Sequence, residues 1–370
     1  MKAKAITITF LLTVFILAAI NLIIPDRVFS ENENRYLAGK PEFSLSNLLN
    51  GKFTEDFENY VTDQFPFREK WIGLKTLSEQ LLAKKDSGGV YFADDNYLIE
   101  CFINIDSERF EQNITTLADF TESVMSELGI EVQTMLVPTA SYVLAEKLPK
   151  YTPEVDQSEL LNSAENAGLS FVDVSSTLIE HRSEYIYYRT DHHWTSLGAK
   201  YAYEYWRALN GKDFSSENYN EEILSEDFLG TTYSKVVPFD AQPDIITAYN
   251  PVSSYSVEYN LDGNINKSIY EMSYLEKKDK YSVFFNANQS VTKVCSDNKN
   301  DEKLLIIKDS YANTFAQFAV PDYEEVHMID LRYFKMPVVD YIKENGITDV
   351  LILYNLSGFS SDKDIGILSK

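Results

Sequence analysis

The first feature of the hydrophobic pattern is a run of 20 residues, 5–24, without a charged side chain. A helix of this length can span a bilayer. Lys2 and Lys4 precede the run and acidic residues predominate after it, which predicts a cytoplasmic N-terminus and an exported remainder. A cleaved signal peptide is the alternative, because Val28 and Ser30 are small enough for a cleavage site. We expect residues 1–25 to be a membrane anchor or an uncleaved signal.

Residues 26–87 are predicted to be a linker followed by a helical segment. The polar stretch 25–40 is typical of a juxtamembrane linker. Phe53, Phe57 and Tyr60 recur at i, i+4 and i+7, which predicts one helix, and the sequence after Pro66 predicts a second.

From about Gly88 to the C-terminus, short apolar runs alternate with helical patterns. Residues 88–100 predict a hairpin. Such alternation predicts an α/β domain with a largely parallel sheet flanked by helices. The predicted strands are 131–138, 169–174, 184–190, 303–310, 324–331 and 349–357, and the predicted helices lie around 114–128, 160–167, 175–182, 196–211, 312–318 and 338–345.

The alternation is interrupted at about 212–300, where tyrosine-rich segments with β propensity predominate. Examples of these β-leaning segments are 231–239, 244–251 and 280–287. We therefore interpret 88–370 as one α/β domain interrupted by a β-leaning insertion or covering subdomain.

Composition narrows the class of partner. The formal net charge of −24 disfavours nucleic acid and a peripheral face on anionic lipid, although solubility alone also explains it. Only two cysteines are present, Cys101 and Cys295, so a disulfide scaffold is excluded and a single bridge stays open.

Two short segments at predicted strand ends carry candidate chemistry. The first is RTDHHWT, 189–195, and the second is KDSYA, 308–312, where a strand turns into a helix. Such a turn exposes a serine hydroxyl beside backbone N–H groups. Serine needs a base and an acid that orients the base. Ser310 is thus the candidate nucleophile, with His193 as base and Asp191 as orienting acid.

Other interpretations of these residues stay open. Ser310 and Asp191 are both suited to capping a helix, and paired histidines before Trp194 are compatible with a packed turn. Asp191, His192 and His193 are also metal-ligand types, but no further ligands follow at a recognisable spacing, and we expect no metal.

The tetrad DHHW, with FENYVTDQFPFREKWIGLK before it and IIKDSYANTF after it, resembles the DHHW protein family, and more distantly the SGNH-hydrolase-like domains of alginate O-acetyltransferase proteins. The resemblance implies an SGNH-like, flavodoxin-like fold whose motif order is permuted, since the serine comes last. It also implies that Asp191, His193 and Ser310 are the catalytic residues.

Additional binding residues are expected around the triad. The N–H groups of Ser310 and Tyr311 are candidate oxyanion donors, and Asn355 after the last strand resembles the asparagine of SGNH enzymes, although a turn role is the simpler interpretation. His192 and Trp194 belong to the motif, and Asn288 is a weaker candidate from the insertion. Lys308 and Asp309 are given no role.

The expected function is acetyl-ester chemistry, by transfer or hydrolysis, on a cell-envelope polysaccharide outside the plasma membrane. This mechanism requires no cofactor. The resemblance implies a membrane-bound O-acyltransferase as the supplier of acetyl groups. A non-catalytic glycan-binding or envelope-assembly protein on the same fold is the alternative, because the 25 tyrosines also suit sugar stacking.

Overall fold

The computed structural model describes residues 2–30 and 35–369, so residues 31–34 of the predicted linker lie outside the described residues. The helices are α1 Lys2–Ile23, α2 Leu45–Leu49, α3 Lys52–Asp63, α4 Arg68–Leu81, α5 Ser107–Leu128, α6 Ala140–Val143, α7 Gln157–Asn166, α8 Ser175–Glu180, α9 Ser196–Leu209, α10 Thr231–Val236, α11 Ala312–Ala316, α12 Val338–Asn345 and α13 Leu356–Ser361. The strands are β1 Phe29–Ser30, β2 Arg35–Tyr36, β3 Asp86–Ser87, β4 Val90–Phe92, β5 Leu98–Glu100, β6 Val132–Val137, β7 Ser170–Phe171, β8 Tyr219–Phe228, β9 Asp244–Pro251, β10 Tyr255–Tyr259, β11 Ile265–Asn266, β12 Val291–Ser296, β13 Lys303–Lys308, β14 Glu325–Ile329 and β15 Asp349–Asn355.

The chain forms two compact units. The first comprises residues 1–88 together with 233–241, and the second comprises 89–232 and 242–370. In the first unit, α1 is the one described helix that is long and apolar enough to cross a membrane. The two predicted helices that follow it are present as α3 and α4.

The second unit is built on an eight-stranded sheet in the order β11-β10-β12-β14-β13-β15-β6-β7. The five strands from β14 to β7 are parallel. Strand β12 pairs antiparallel with β14, β10 pairs antiparallel with β12, and β11 pairs antiparallel with β10. The predicted α/β fold with a parallel sheet is therefore confirmed. The segment 212–300 contributes those three antiparallel strands and the separate β8–β9 ribbon.

Helices cover both faces of this sheet because its central strands are apolar on both sides. In β13, Leu304 and Ile306 pack in the cluster that contains α9 and α11 residues, whereas Leu305 and Ile307 pack with residues of α5 and α12. All four side chains are fully buried. A strand that lacks a polar face in this way is confined to the interior of a sheet.

One strand prediction is wrong, and two segments with β propensity do not form strands. Residues 231–239 begin with helix α10, and 280–283 form a 3-10 turn. Residues 184–190 form a loop with one isolated bridge, between Tyr187 and Trp194. The physical reason is that Ile186, Tyr187 and Tyr188 are all buried in succession, so the loop runs through the core instead of presenting alternate faces. The first motif therefore follows a buried loop, not a strand.

Candidate active site

Ser310 lies in a tight turn between strand and helix. Strand β13 ends at Lys308 and α11 begins at Ala312. The Asp309 carboxylate accepts a hydrogen bond from the Tyr311 N–H (2.9 Å), and the Ser310 carbonyl accepts one from the Asn313 N–H (3.2 Å). The apolar strand is fixed in the sheet centre, so this turn projects the partly exposed serine from the carboxyl edge of the sheet.

The loop that carries the DHHW residues is held by a single buried carboxylate. Asp244, at the start of β9, is fully buried and accepts hydrogen bonds from the backbone N–H groups of Arg189 and Thr190, both at 2.7 Å. It also accepts the hydroxyls of Thr190 and Tyr185. The backbone N–H groups of Arg189 and Thr190 pair with no neighbouring strand of the described chain, and the Asp244 carboxylate accepts their hydrogen bonds instead. The loop then enters α9, which is capped by the Thr195 hydroxyl.

The structure brings the serine, one histidine and the aspartate into one hydrogen-bonded chain. Ser310 Oγ lies 2.7 Å from His193 Nε2. His193 Nδ1 lies 2.5 Å from Asp191 Oδ1, which also accepts the His193 backbone N–H at 3.0 Å. The first distance is an ordinary hydrogen-bond length, and the second is short for a bond between nitrogen and oxygen. The turn that Asp191 forms with the His193 backbone fixes the imidazole with one nitrogen towards each partner.

The second carboxylate oxygen of Asp191 is fixed by Thr231. Asp191 Oδ2 accepts the Thr231 N–H at 2.7 Å and the Thr231 hydroxyl at 3.0 Å. Burial raises the pKa of Asp191, but the two neighbouring imidazoles and the hydrogen bonds from His193 and Thr231 outweigh it, so the pKa lies well below its usual range. Asp191 is thus a buried carboxylate that stays ionised.

His193 is a neutral imidazole at neutral pH. Its side chain is buried beneath the ring of Tyr281, which is stacked on it at 3.9 Å between ring centres. Burial, with the adjacent His192, lowers the pKa of His193 to about 4 despite the opposing charge of Asp191. A neutral imidazole whose Nδ1 donates to Asp191 presents an unprotonated Nε2 to the Ser310 hydroxyl.

Two more hydrogen bonds fasten the motif loop to the serine turn. The Trp194 indole N–H donates to the Tyr311 carbonyl at 2.9 Å, and the Tyr311 hydroxyl donates to the His192 carbonyl. Both aromatic side chains are almost completely buried. Trp194 and Tyr311, expected to be binding residues, are therefore core residues that hold the two motifs together.

Comparisons with known proteins show the family of this chain. The sequence profile described as "DHHW protein" matches residues 132–329, which is more than half of the chain. The chain belongs to the DHHW protein family. The crystal structure of a DHHW family protein from Eubacterium siraeum is 29% identical, with a TM-score of 0.65, and covers 77% of this chain and 96% of that one.

More distant relatives share the fold. PatB1 of Bacillus cereus, solved with a sulfonyl adduct, has a TM-score of 0.62 at 20% identity and covers 74% of this chain and 97% of that chain. The probable alginate O-acetylase AlgJ of Pseudomonas aeruginosa is 24% identical over 174 residues. The match covers 44% of the length of that relative and 44% of the length of this DHHW protein.

In this DHHW protein, His192 lies outside the hydrogen-bonded chain that His193 forms with Ser310 and Asp191. Its Nδ1 lies 2.7 Å from the Thr231 hydroxyl, and about a third of its side chain is exposed. Asp191, His192 and His193 place ligand atoms within 4.8 Å of one another, so the triplet could approach a metal ion. Both ring nitrogens of His193, however, are already engaged by Asp191 and Ser310.

The asparagines are not hydrogen-bonded to the serine. The Asn355 side-chain oxygen caps α13 through the N–H groups of Ser357 and Gly358 at 3.1 and 3.3 Å, which is the turn role. The Asn288 oxygen accepts the buried Lys308 ammonium at 2.7 Å, and Lys308 also donates to Asn313 at 2.7 Å.

The two candidate oxyanion donors differ in availability. The Tyr311 N–H is committed to Asp309. The Ser310 N–H makes no hydrogen bond to another residue of the described chain. Ser310 is thus the better placed of the two to donate to an incoming oxygen.

Sequence reasoning missed four residues of the site: Gly230, Thr231, Asp244 and Tyr281. They lie on the segment that the sequence marks as an insertion, remote from the motif in the chain. A lone aspartate at the start of a strand-like run and a glycine–threonine pair are common in loops, so no pattern distinguishes them. Lys308, which sequence reasoning left without a role, is buried at the end of β13 and stabilises the serine turn through its hydrogen bond to Asn313.

Gly230 gives a direct test of the carboxylate pocket. A methyl group at this position would lie 2.3 Å from the Asp191 carboxylate, too close for any side chain. We expect Gly230→Ala to lower the free energy of unfolding by about 1–3 kcal/mol, the usual cost of overpacking. The measurement is urea unfolding followed by tryptophan fluorescence.

Gly366→Ala is the matched control for this substitution. Apart from its chain neighbours, no heavy atom of the described residues lies within 4 Å of the methyl group that it would add, and its backbone is not left-handed. Equal unfolding midpoints for the two variants would contradict the tight packing of Gly230 against Asp191.

Proposed function

We propose that this DHHW protein transfers or removes an acetyl ester on a cell-envelope polysaccharide, with Ser310 as nucleophile, His193 as general base and Asp191 as the acid that orients the base. The single observation that supports this proposal best is the hydrogen-bonded chain from Ser310 Oγ through His193 to Asp191, with distances of 2.7 and 2.5 Å. A nucleophile, a base and an orienting acid within hydrogen-bond reach are the geometry that nucleophilic acyl transfer requires.

The reaction follows from these positions. Ser310 Oγ attacks the acetyl carbonyl carbon while His193 Nε2 takes the hydroxyl proton. The tetrahedral intermediate then collapses, the bond to the donor oxygen breaks, and His193 returns its proton to that oxygen. An acceptor hydroxyl next attacks the acetyl–serine ester and gives its proton to His193. The ester bond to Ser310 breaks, and Ser310 Oγ recovers the proton. Water as acceptor gives acetate, and a sugar hydroxyl gives a new acetyl ester.

The electrostatics of the site suit this sequence. His193 is neutral at pH 7 because burial lowers its pKa, so the base is available in the resting protein. The ionised Asp191 stabilises the imidazolium that forms in each half of the reaction. The unengaged Ser310 N–H can donate to the oxyanion of the tetrahedral intermediate.

The relatives support the same chemistry and substrate class. AlgJ is named a probable alginate O-acetylase, which is acyl chemistry on a polysaccharide. Since this chain spans less than half the length of those relatives, the polysaccharide acceptor is part of the proposal. A membrane-bound O-acyltransferase is the partner that we propose as supplier of acetyl groups.

Substitutions of the three residues test the proposal. We expect Ser310→Ala and His193→Ala each to lower kcat/KM for 4-nitrophenyl acetate by about 10⁴-fold or more, and the double variant to lose little further, because such residues act as a unit. Asp191→Asn should lose up to about 10⁴-fold, since the ring stays in place with the wrong tautomer. The measurement is 4-nitrophenol release by the purified full chain.

His192→Ala is the internal control, because the His192 ring packs beside His193 and bonds to Thr231 but makes no hydrogen bond to Ser310. It should retain most of the activity, and a chelator should leave the wild-type rate unchanged. Undiminished hydrolysis by Ser310→Ala would refute the nucleophile and favour a glycan-binding role. Loss of activity with the chelator and with His192→Ala, while Ser310→Ala stays active, would favour a metal site.

We also propose a location for the protein. A single N-terminal helix anchors it in the plasma membrane with the α/β unit outside, or the protein is secreted if the N-terminal segment is cleaved. The apolar helix α1 and the lysines before it support this orientation. Protease added to intact protoplasts should digest residues 89–370. Protection of that unit from the protease, with digestion only after lysis, would contradict export.

A further inference from the structure

Helix α4 of the first unit has its large apolar residues on the outside. Gly73 and Thr76 form its buried face. The Thr76 hydroxyl donates to the Val236 carbonyl at 2.6 Å, and a methyl group on Gly73 would lie 2.9 Å from the Val237 carbonyl oxygen. Small residues thus let α4 pack closely on the segment 233–241. The usual amphipathic arrangement is reversed.

The opposite face of α4 is an exposed apolar stripe. Trp71, Leu74, Leu77 and Leu81 fall on one side of the helix, and Phe67 is the residue that precedes it. The exposed fractions of these five side chains range from 38% to 79%. Positions 74, 77 and 81 are spaced at i, i+3 and i+7, and Trp71 precedes Leu74 by three residues, so the stripe runs along the helix. Contiguous exposed apolar patches of this kind mark a binding surface. We call these five residues the α4 stripe.

The α4 stripe begins beside the end of the candidate membrane helix. Helix α1 ends at Ile23, and four residues later the Arg27 N–H donates to the Gln64 side-chain oxygen, while the Gln64 amide donates to the Arg27 carbonyl, both at 2.9 Å. Arg27 also pairs with Glu69 in the first turn of α4 at 3.4 Å. Four residues extend at most about 14 Å, so the start of α4 is tied to a point within about 14 Å of the end of α1.

The charge of the protein is divided unequally between the two units. Residues 1–88 contain eleven basic and eleven acidic residues, and 233–241 adds one of each, so the first unit is neutral and the second carries the whole net charge of −24. Lys70 and Lys75 lie on the same helix as the α4 stripe. Net negative charge therefore disfavours a lipid-binding face on the second unit alone.

We propose that the α4 stripe lies in the lipid headgroup region of the membrane that α1 crosses. Aromatic and aliphatic side chains enter the boundary between headgroups and acyl chains, and the flanking lysines contact phosphates. The lipid surface is the occupant because Gln64 and Glu69, on either side of the start of the α4 stripe, bind Arg27, which follows the end of α1 by four residues. The first unit is then held at two places, by α1 across the membrane and by α4 along it.

Tryptophan quenching by brominated lipid tests this surface. The chain has three tryptophans, of which Trp194 and Trp206 are buried in the second unit and Trp71 is 43% exposed. The full chain is reconstituted into phosphatidylcholine–phosphatidylglycerol vesicles with and without brominated acyl chains. Because an interfacial helix is buried roughly 5–10 Å into the headgroup boundary, we expect the Trp71 contribution, wild type minus Trp71→Phe, to fall by about half or more.

A triple variant, Leu74→Gln with Leu77→Gln and Leu81→Gln, should weaken this quenching and shift the Trp71 emission to the red. Leu209→Gln is the matched control, since Leu209 is 54% exposed on the second unit. Carbonate extraction establishes that α1 is inserted.

Three results would overturn the proposal. The first is an unquenched Trp71 in protein that resists extraction. The second is a Trp71 emission that depends on protein concentration and not on bromination, which would indicate a second copy of the chain as occupant. The third is a protein that carbonate extracts, which would remove the anchor on which the proposal rests.

Discussion

The constraint on which the site depends is the fastening of one buried loop to one strand-to-helix turn. The loop has no regular structure of its own, so its position comes from hydrogen bonds: to Asp244 on one side, and to the serine turn through Trp194 and Tyr311 on the other. Two of these bonds, from Thr190 to Asp244 and from Trp194 to Tyr311, are fully buried, and a lost partner there would leave an unsatisfied polar group in the core, which costs about 1–3 kcal/mol. Because breaking these hydrogen bonds is costly, the His193 ring stays oriented towards Ser310.

This arrangement explains why the motif is more than a catalytic pair. Asp191 and His193 supply the carboxylate and the imidazole, whereas Trp194 supplies the N–H that reaches the Tyr311 carbonyl. His192 contributes its backbone carbonyl to the Tyr311 hydroxyl and its ring to Thr231. Thus the four residues of the tetrad are used together, two in the hydrogen-bonded chain and two in its attachment to the fold.

The sequence was sufficient for the parts of the fold that local patterns determine. The uninterrupted apolar run of β13 can only be an interior strand, and the helical period before Gly129 defines α5. It failed at residues 184–190, where β propensity predicted a strand and burial of three successive side chains gave a loop. It also failed at 280–283, where Tyr281 covers His193 from a 3-10 turn.

The candidate site could be predicted only in part for a related reason. Ser310, His193 and Asp191 are recognisable because a tetrad and a strand-to-helix turn mark them locally. Thr231 and Asp244 act through contacts that join positions about 40 and 55 residues apart, as the fold requires, and no short spacing encodes such contacts. The oxyanion donors depend on which N–H groups the turn leaves unpaired, and that is decided by the Asp309 side chain.

The central claim is that the environment of Ser310 makes it a nucleophile, and covalent labelling measures this most directly. The full chain is incubated with a serine-directed fluorophosphonate, and the modified residue is located by mass spectrometry. We predict rapid, stoichiometric labelling of Ser310 in the wild type and very slow labelling in His193→Ala, because the hydroxyl is then without its base. Equal labelling rates in the two proteins, or no adduct on Ser310, would contradict the account.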